Sequence, residues 1–377
     1  MTSVAPAIVR DGLAGCVSGA RDDVRGVLSS RCHFGRAFDV AFAPWEGDDG
    51  TSDEMVVTCG EDGTARAHVV RTSGEGGGAI ERDVFVCRGH EAEVVRVGFA
   101  RGAASERRRF ATGSADGSCK IWNADDGSKA RSLNGHPGEV YGCCFLGDGG
   151  AATIATCSET AVWAWDVETG ARLATSAPRV ATGGDGTPER WSPGYLFSMA
   201  RGLNGVLACG CSDGVVRIYG DGSGGKFGET VAEVRDAHQH TIVGSTCFID
   251  EGRVLCSVGL DGTIALTDTR TWEMFRRISA GTPLMSACGI GSGSWLAMVG
   301  KSGVVRAIDA MEQTVASQCI FRPEIDEPVP LFCVASNLKG TMLACAGAGV
   351  ASSGATTPAF GSTKKPDPSR LDVWIAA

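Results

Sequence analysis

The sequence predicts an all-β protein assembled from copies of one antiparallel strand unit. Three observations predict it. Glycine is abundant (54 residues) while proline is modest (13), a balance that suits many tight turns between short strands. One octapeptide recurs seven times, as VVTCGEDG (56–63), FATGSADG (110–117), IATCSETA (154–161), LACGCSDG (207–214), LCSVGLDG (255–262), LAMVGKSG (296–303) and LACAGAGV (343–350), at spacings of 41 to 54 residues. A histidine also precedes a phenylalanine by nine residues three times: His33 and Phe42, His90 and Phe99, His136 and Phe145. Such recurrence marks one supersecondary unit that buries its apolar face against the next.

The octapeptide supplies one strand and the turn that ends it. Asp-Gly at the turn provides a side chain that hydrogen-bonds its own backbone and a residue that tolerates positive φ, as a short hairpin requires. A second strand follows in TARAHVV, SCKIWNA, VWAWDVE, VVRIYGD, TIALTDT and VVRAIDA, alternating apolar and polar residues. A third lies upstream, as in VVRVGFA (94–100), VYGCCFL (140–146) and TIVGSTCFI (241–249). Between copies run insertions rich in Gly, Ser, Pro and charge, at 72–83, 101–109, 182–194, 220–229 and 349–370; these read as flexible surface loops.

Size and charge bound the function. The chain has 377 residues, 43% of them hydrophobic, enough for a sizeable core, and a formal net charge of −9. That charge argues against wholesale binding to nucleic acid or anionic membrane, leaving RRR at 107–109 as the one short basic cluster. No apolar run approaches a membrane span and the N-terminus lacks the pattern of a signal peptide, so the expectation is an intracellular protein, cytoplasmic or nuclear or both. Its 16 cysteines are then thiols, and no C-x-x-C pairs mark a zinc site. His238-x-His240 is too few ligands for a metal.

The octapeptide, the spaced histidines and Trp165-Asp166 together resemble the WD-repeat, or transducin β-like, family of β-propellers. The resemblance runs from about Asp23 to Ala377. It implies a seven-bladed β-propeller of four-stranded antiparallel blades, residues 1–22 forming an N-terminal tail and 23–377 the propeller. It also implies a buried hydrogen-bonded set, to which His90, Thr112, Asp116 and Trp122 correspond in one repeat and His136, Trp165 and Asp166 in the next. Thr58, Thr156 and Ser257 occupy the hydroxyl position elsewhere, whereas Cys209, Met298 and Cys345 leave three blades to packing alone. Trp374 lies on the third strand of the last repeat, and no residues follow it for a fourth. The expectation is that Val24–Ser29 completes that blade beside Leu371–Ile375.

No G-x-S-x-G elbow, H-E-x-x-H or phosphate-binding loop is present, so neither enzyme activity, a cofactor nor a metal is expected. The resemblance implies a non-catalytic scaffold that nucleates a multiprotein complex, binding protein or peptide partners through a loop-bearing top face, as a monomer within the assembly. Residues before the turn Asp point there (Glu61, Ala115, Ser212, Leu260, Lys301), joined by Arg36, Tyr141 and Trp191. Tyr, Trp and Arg are frequent interface anchors. One alternative is a substrate receptor of a cullin-RING ubiquitin ligase, whose Trp-Asp-x-Arg motif is matched here by Asp268 and Arg270 without the Trp. Another is an adaptor in RNA processing or chromatin, without direct nucleic-acid binding.

Overall fold

The computed structural model describes residues 27–45, 53–73, 77–101, 108–147, 153–176, 194–312, 315–320, 329–348 and 368–375. Among them there is no helix, and the strands assemble into seven four-stranded antiparallel sheets, the blades of an all-β seven-bladed propeller. The chain begins with β1 (Val27–Phe34) and then lays down six blades in order. They are β2 (Ala37–Phe42), β3 (Glu54–Gly60), β4 (Ala65–Ser73) and β5 (Gly77–Cys87); β6 (Val94–Phe99), β7 (Arg109–Ser114), β8 (Cys119–Asn123) and β9 (Lys129–Leu133); β10 (Val140–Leu146), β11 (Thr153–Ser158), β12 (Ala161–Asp166) and β13 (Arg172–Thr175); β14 (Leu196–Arg201), β15 (Val206–Cys211), β16 (Val216–Gly220) and β17 (Thr230–Val234); β18 (Val243–Ile249), β19 (Val254–Gly259), β20 (Thr263–Asp268) and β21 (Met274–Ser279); and β22 (Leu284–Gly289), β23 (Trp295–Gly300), β24 (Val304–Asp309) and β25 (Val315–Ile320). The last blade has β26 (Leu331–Ser336), β27 (Met342–Gly347) and β28 (Pro368–Ile375), with β1 as its fourth strand.

The chain divides into two compact units, Met1–Val97 with Cys288–Ala377, and Gly98–Ala287. In the first, one apolar cluster joins Val56 and Val70 to Ala344 and Leu371, and another joins Val299 and Val305 to Leu343 and Trp374. In the second, Ile121 and Leu133 pack with Ile154 and Trp165, Cys157 and Val162 with Leu207 and Tyr219, and Ile218 with Leu255 and Ala265. Each cluster draws on two successive blades, so the octapeptide strand is covered on both faces. In β15, β19, β23 and β27 every residue is buried. That double burial explains the run of Ala, Cys, Val and Leu there in place of alternation. The outermost strands have one free edge, and β21 alternates half-buried and exposed residues.

The turn glycines are required where backbone closes on backbone. Gly214 has φ +81°, and a Cβ there would stand 2.3 Å from the carbonyl oxygen of His238, a clash no L side chain escapes. IATCSETA lacks this glycine. There Glu159 itself takes a positive φ of 50°, an uncommon conformation for a residue with a Cβ.

Three expectations change in detail. The N-terminal strand does complete the last blade, but it runs over Val27–Phe34 and not Val24–Ser29; Val24–Gly26 lie outside the described residues. It pairs antiparallel from Val27 with Trp374 to Phe34 with Pro368. Cys32 and His33 are held inside it because the Ser369 hydroxyl meets Cys32 Sγ and the His33 amide, both at 3.3 Å. The glycine-rich stretch 72–83 is largely strand: β4 and β5 pair Val69 with Glu81 through Ser73 with Gly77. Arg71 bridges Glu81 at 2.5 Å and Asp53 at 3.1 Å on this hairpin. Finally, 220–229 is a tied turn, in which Asp221 accepts from the Ser223 amide at 2.9 Å and hydroxyl at 2.6 Å and from Arg201 Nε at 3.1 Å.

Candidate partner-binding surface

Buried polar sets fix the geometry beneath the surface. In the blade of β2–β5, His33 Nδ1 lies 2.8 Å from Asp62 Oδ1 and His33 Nε2 lies 2.9 Å from Thr58 Oγ1. Thr58 Oγ1 in turn lies 3.0 Å from His68 Nε2, so a second imidazole replaces the indole at the Trp position. In the blade of β6–β9 the Trp122 indole donates to Thr112 Oγ1 at 2.8 Å, and Asp116 accepts from the Ser118 hydroxyl at 2.6 Å. In the blade of β10–β13 Thr156 Oγ1 accepts the Trp165 indole at 2.9 Å and lies 2.8 Å from His136 Nε2. With no Asp in that turn, His136 Nδ1 faces the Gly117 carbonyl at 3.2 Å. His238 takes the equivalent place in the blade of β18–β21, between Asp261 at 3.1 Å and Ser257 at 3.0 Å. Each buried polar group needs its partner, because an orphan costs about 1–3 kcal/mol.

Above these sets lie the strand entrances and octapeptide turns. In the first unit, Arg36 binds Glu61 through Nε at 3.0 Å, Nη2 at 3.2 Å and its amide at 2.9 Å. Its guanidinium also stands 5.2 Å from the Phe38 ring centroid, and Phe38 lies 6.0 Å from Phe332. Burial alone pushes Glu61 up, yet the Arg36 hydrogen bonds and charge prevail and hold it below its usual range. In the second unit the half-buried Tyr141 and Phe197 pack with the buried Tyr195, Tyr141 to Phe197 at 5.0 Å, Tyr195 to Phe197 at 5.4 Å and Tyr141 to Tyr195 at 6.1 Å. The Tyr195 hydroxyl donates to Glu139 Oε2 at 2.6 Å. Burial, Glu139, Tyr141 and Glu159 push that phenol far above its usual range. Ser212 meets Tyr195 through its hydroxyl and its amide, at 3.1 and 2.8 Å.

A family model for the WD domain, G-beta repeat, matches residues 82–123, the stretch that carries His90, Asp116 and Trp122. The other six octapeptides fall in phase on the same strand of the other six blades. That stretch is a WD repeat, and the fold that contains it is a seven-bladed propeller. A comparison with curated proteins finds no match. WD-repeat propellers are commonly protein-interaction scaffolds and generally non-catalytic. Among the described residues no group of three or more His, Cys, Asp or Glu is placed to hold a metal ion, and no helix is long and apolar enough to cross a membrane.

The propeller spreads the sequence-predicted residues unevenly. Arg36 and Glu61 meet directly; Tyr141 and Ser212 join the second unit's cluster; Leu260 and Ala115 are half-buried in their turns, and Lys301 is exposed. Trp191 lies outside the described residues. Asp166 sits at the opposite end of β12 from the octapeptide turn and holds the following turn through the Thr169 amide at 2.7 Å and hydroxyl at 2.8 Å. Arg270, though 82% exposed, is bound back on Asp268 through Nη2 at 2.7 Å and Nε at 3.1 Å. Of the RRR cluster, Arg109 meets Glu168 at 2.9 Å and Arg108 lies 3.9 Å from Asp125. Burial pushes the Cys32 and Cys211 thiols up to about 12, so they stay protonated and unreactive at neutral pH. Tyr195, Phe197, Glu139 and Glu159 escaped sequence reasoning. Aligning the residues that open each first strand would have found Phe197, since Phe38, Tyr141, Phe197 and Phe332 share the second position.

Two predictions arise from these sets. Cys345 stands where other blades carry a hydroxyl, and the indole nitrogen of Trp374 has no acceptor among the described residues. Cys345→Thr is expected to supply one and to raise stability by about 1 kcal/mol in chemical denaturation; a fall would show that the hydroxyl cannot reach. Burial pushes His136 from 6.5 down to about 4, against the Gly117 carbonyl, and lowers His238 as well despite Asp261. Between those values the unfolded chain binds more protons than the folded one, so this stability is complete above about pH 6.5 and is lost as pH falls toward 4, roughly 3 kcal/mol for His136. Calorimetry should show Tm falling through that window, with a shallower slope in His136→Asn.

Proposed function

We propose that the protein is a non-catalytic scaffold that docks protein or peptide partners on the surface formed by its strand entrances and octapeptide turns. The observation that carries this reading is the aromatic cluster in which the half-buried Tyr141 and Phe197 rest on the buried Tyr195. Beneath it the Thr156 hydroxyl is held between His136 and Trp165, while Tyr141 and Phe197 present partly exposed rings beside Glu139 and Glu159. Rings of this kind anchor interfaces at small entropic cost. The substrate-receptor reading rests on Arg270, whose guanidinium is closed on Asp268 and whose motif has Thr267 in place of tryptophan. Affinity purification from the native cell with quantitative mass spectrometry tests the scaffold reading. A Tyr141→Ala, Phe197→Ala protein of unchanged Tm is expected to lose its partner set. Full retention of that set overturns the reading, and ligase adaptors lost only on Arg270→Ala would replace it with the receptor.

A further inference from the structure

Two blades share a pattern that only one of them completes. In the blade of β2–β5 the residue before the first strand is Arg36, the second residue of that strand is Phe38, and the residue before the turn Asp is Glu61. The guanidinium stands over the ring and forks onto the carboxylate, 3.0 and 3.2 Å from its two oxygens. In the blade of β10–β13 the same three positions read Glu139, Tyr141 and Glu159. Aromatic ring and carboxylate recur; the cation does not. No other blade has an acid at the sixth position of its octapeptide together with an aromatic at the second strand position.

The two carboxylates also occupy matching places. The residue two before the first strand is glycine in both blades. A Cβ on Gly35 would lie 2.7 Å from Glu61 Oε2, and one on Gly138 would lie 3.2 Å from Glu159 Oε1 and 3.4 Å from the Tyr195 hydroxyl. Each glycine therefore leaves room for the acid of its own turn. Glu159 reaches this place with φ at +50°, strain of the kind that rigid surroundings maintain at functional positions. Unlike Glu61, its carboxylate has no hydrogen-bond or ion-pair partner among the described residues. Tyr195 and Phe197 add two more rings to the one that Phe38 provides.

We propose that Glu159, with the rings of Tyr141, Tyr195 and Phe197, is a receptor for the guanidinium of an arginine in a partner peptide, the counterpart of the site that Arg36 fills from within. Arginine fits better than lysine because a planar guanidinium both stacks on aromatic faces and forks onto a carboxylate. Glu139 adds a second negative charge beside the Tyr195 hydroxyl, in the position from which an arginine would otherwise close the site. The proposal rests on the scaffold reading and specifies what part of a partner enters the surface.

The probe is the pentapeptide Gly-Ser-Arg-Ser-Gly, capped at both ends, titrated into the full chain and followed by saturation-transfer NMR, with citrulline and lysine versions as the other arms. The arginine peptide is expected to bind with Kd of order millimolar, a few kcal/mol for one anchoring side chain, and the citrulline peptide at least about tenfold more weakly. Glu159→Gln, which keeps the side-chain shape, is expected to weaken the arginine peptide by about tenfold at unchanged Tm. Glu139→Arg is expected to abolish binding by filling the site from its own blade. Equal binding of citrulline or lysine, no response to Glu159→Gln, or no binding of the arginine peptide at about 20 mM overturns the proposal. A cellular partner set that survives Glu159→Gln but is lost in Tyr141→Ala, Phe197→Ala would overturn the arginine receptor while leaving the scaffold reading in place.

Discussion

Removal of residues 1–34 is expected to abolish cooperative melting of the first unit, a loss of more than about 4 kcal/mol. Three contributions disappear at once. The first is the ladder from Val27–Trp374 to Phe34–Pro368, without which β28 becomes an unpaired edge open to association. The second is Cys32, 5% exposed and packed with Met342, Leu371 and Val373. The third is His33, whose side chain leaves the blade of β1 to meet Asp62 and Thr58 in the blade of β2–β5. Its loss strands a carboxylate that the His33 hydrogen bond holds far below its usual range, although burial pushes it up. A synthetic peptide of residues 24–36 added in trans is expected to restore Tm, and a scrambled peptide is not. A truncated protein melting within about 2 °C of the full chain would show that β1 is dispensable.

The prominence of the octapeptide in the sequence has the same physical origin as its place in the blades. A strand covered on both faces favours apolar residues and admits a hydroxyl only where it has a partner, and LACGCSDG and LCSVGLDG write that restriction plainly. The outer strands answer to solvent on one side, so β5 could be glycine-rich at its start and still pair with β4; read as composition, it resembles a loop. Arg36 and Glu61 were each legible as surface residues, but their pairing depends on two segments 25 positions apart meeting at one blade end. Glu159 was hidden for a different reason. IATCSETA lacks both Asp and Gly of the turn, and a departure from the repeat reads as decay until the strained turn is seen to aim a carboxylate beside Tyr195.

The second large effect is expected at Thr156. Its hydroxyl accepts the Trp165 indole at 2.9 Å and lies 2.8 Å from His136 Nε2, and the residue has no solvent exposure. Thr156→Val keeps the volume and the β-branched shape but removes both interactions, leaving the Trp165 N–H and His136 Nε2 without partners beside an apolar cluster that includes Ile154 and Val167, while His136 Nδ1 keeps the Gly117 carbonyl. Water cannot readily replace the hydroxyl there, so the cost is that of two desolvated groups, about 2–4 kcal/mol. Thr156→Ser retains the hydroxyl and loses only a methyl group, for about 1 kcal/mol. Equilibrium denaturation of the two variants separates hydrogen bonding from packing: if valine proves no worse than serine, the polar set contributes little and packing of the indole against Ile154 holds the blade. The expected order, wild type above serine above valine, would make the hydroxyl between histidine and tryptophan the element that keeps β10, β11 and β12 in register beneath Tyr141 and Glu159.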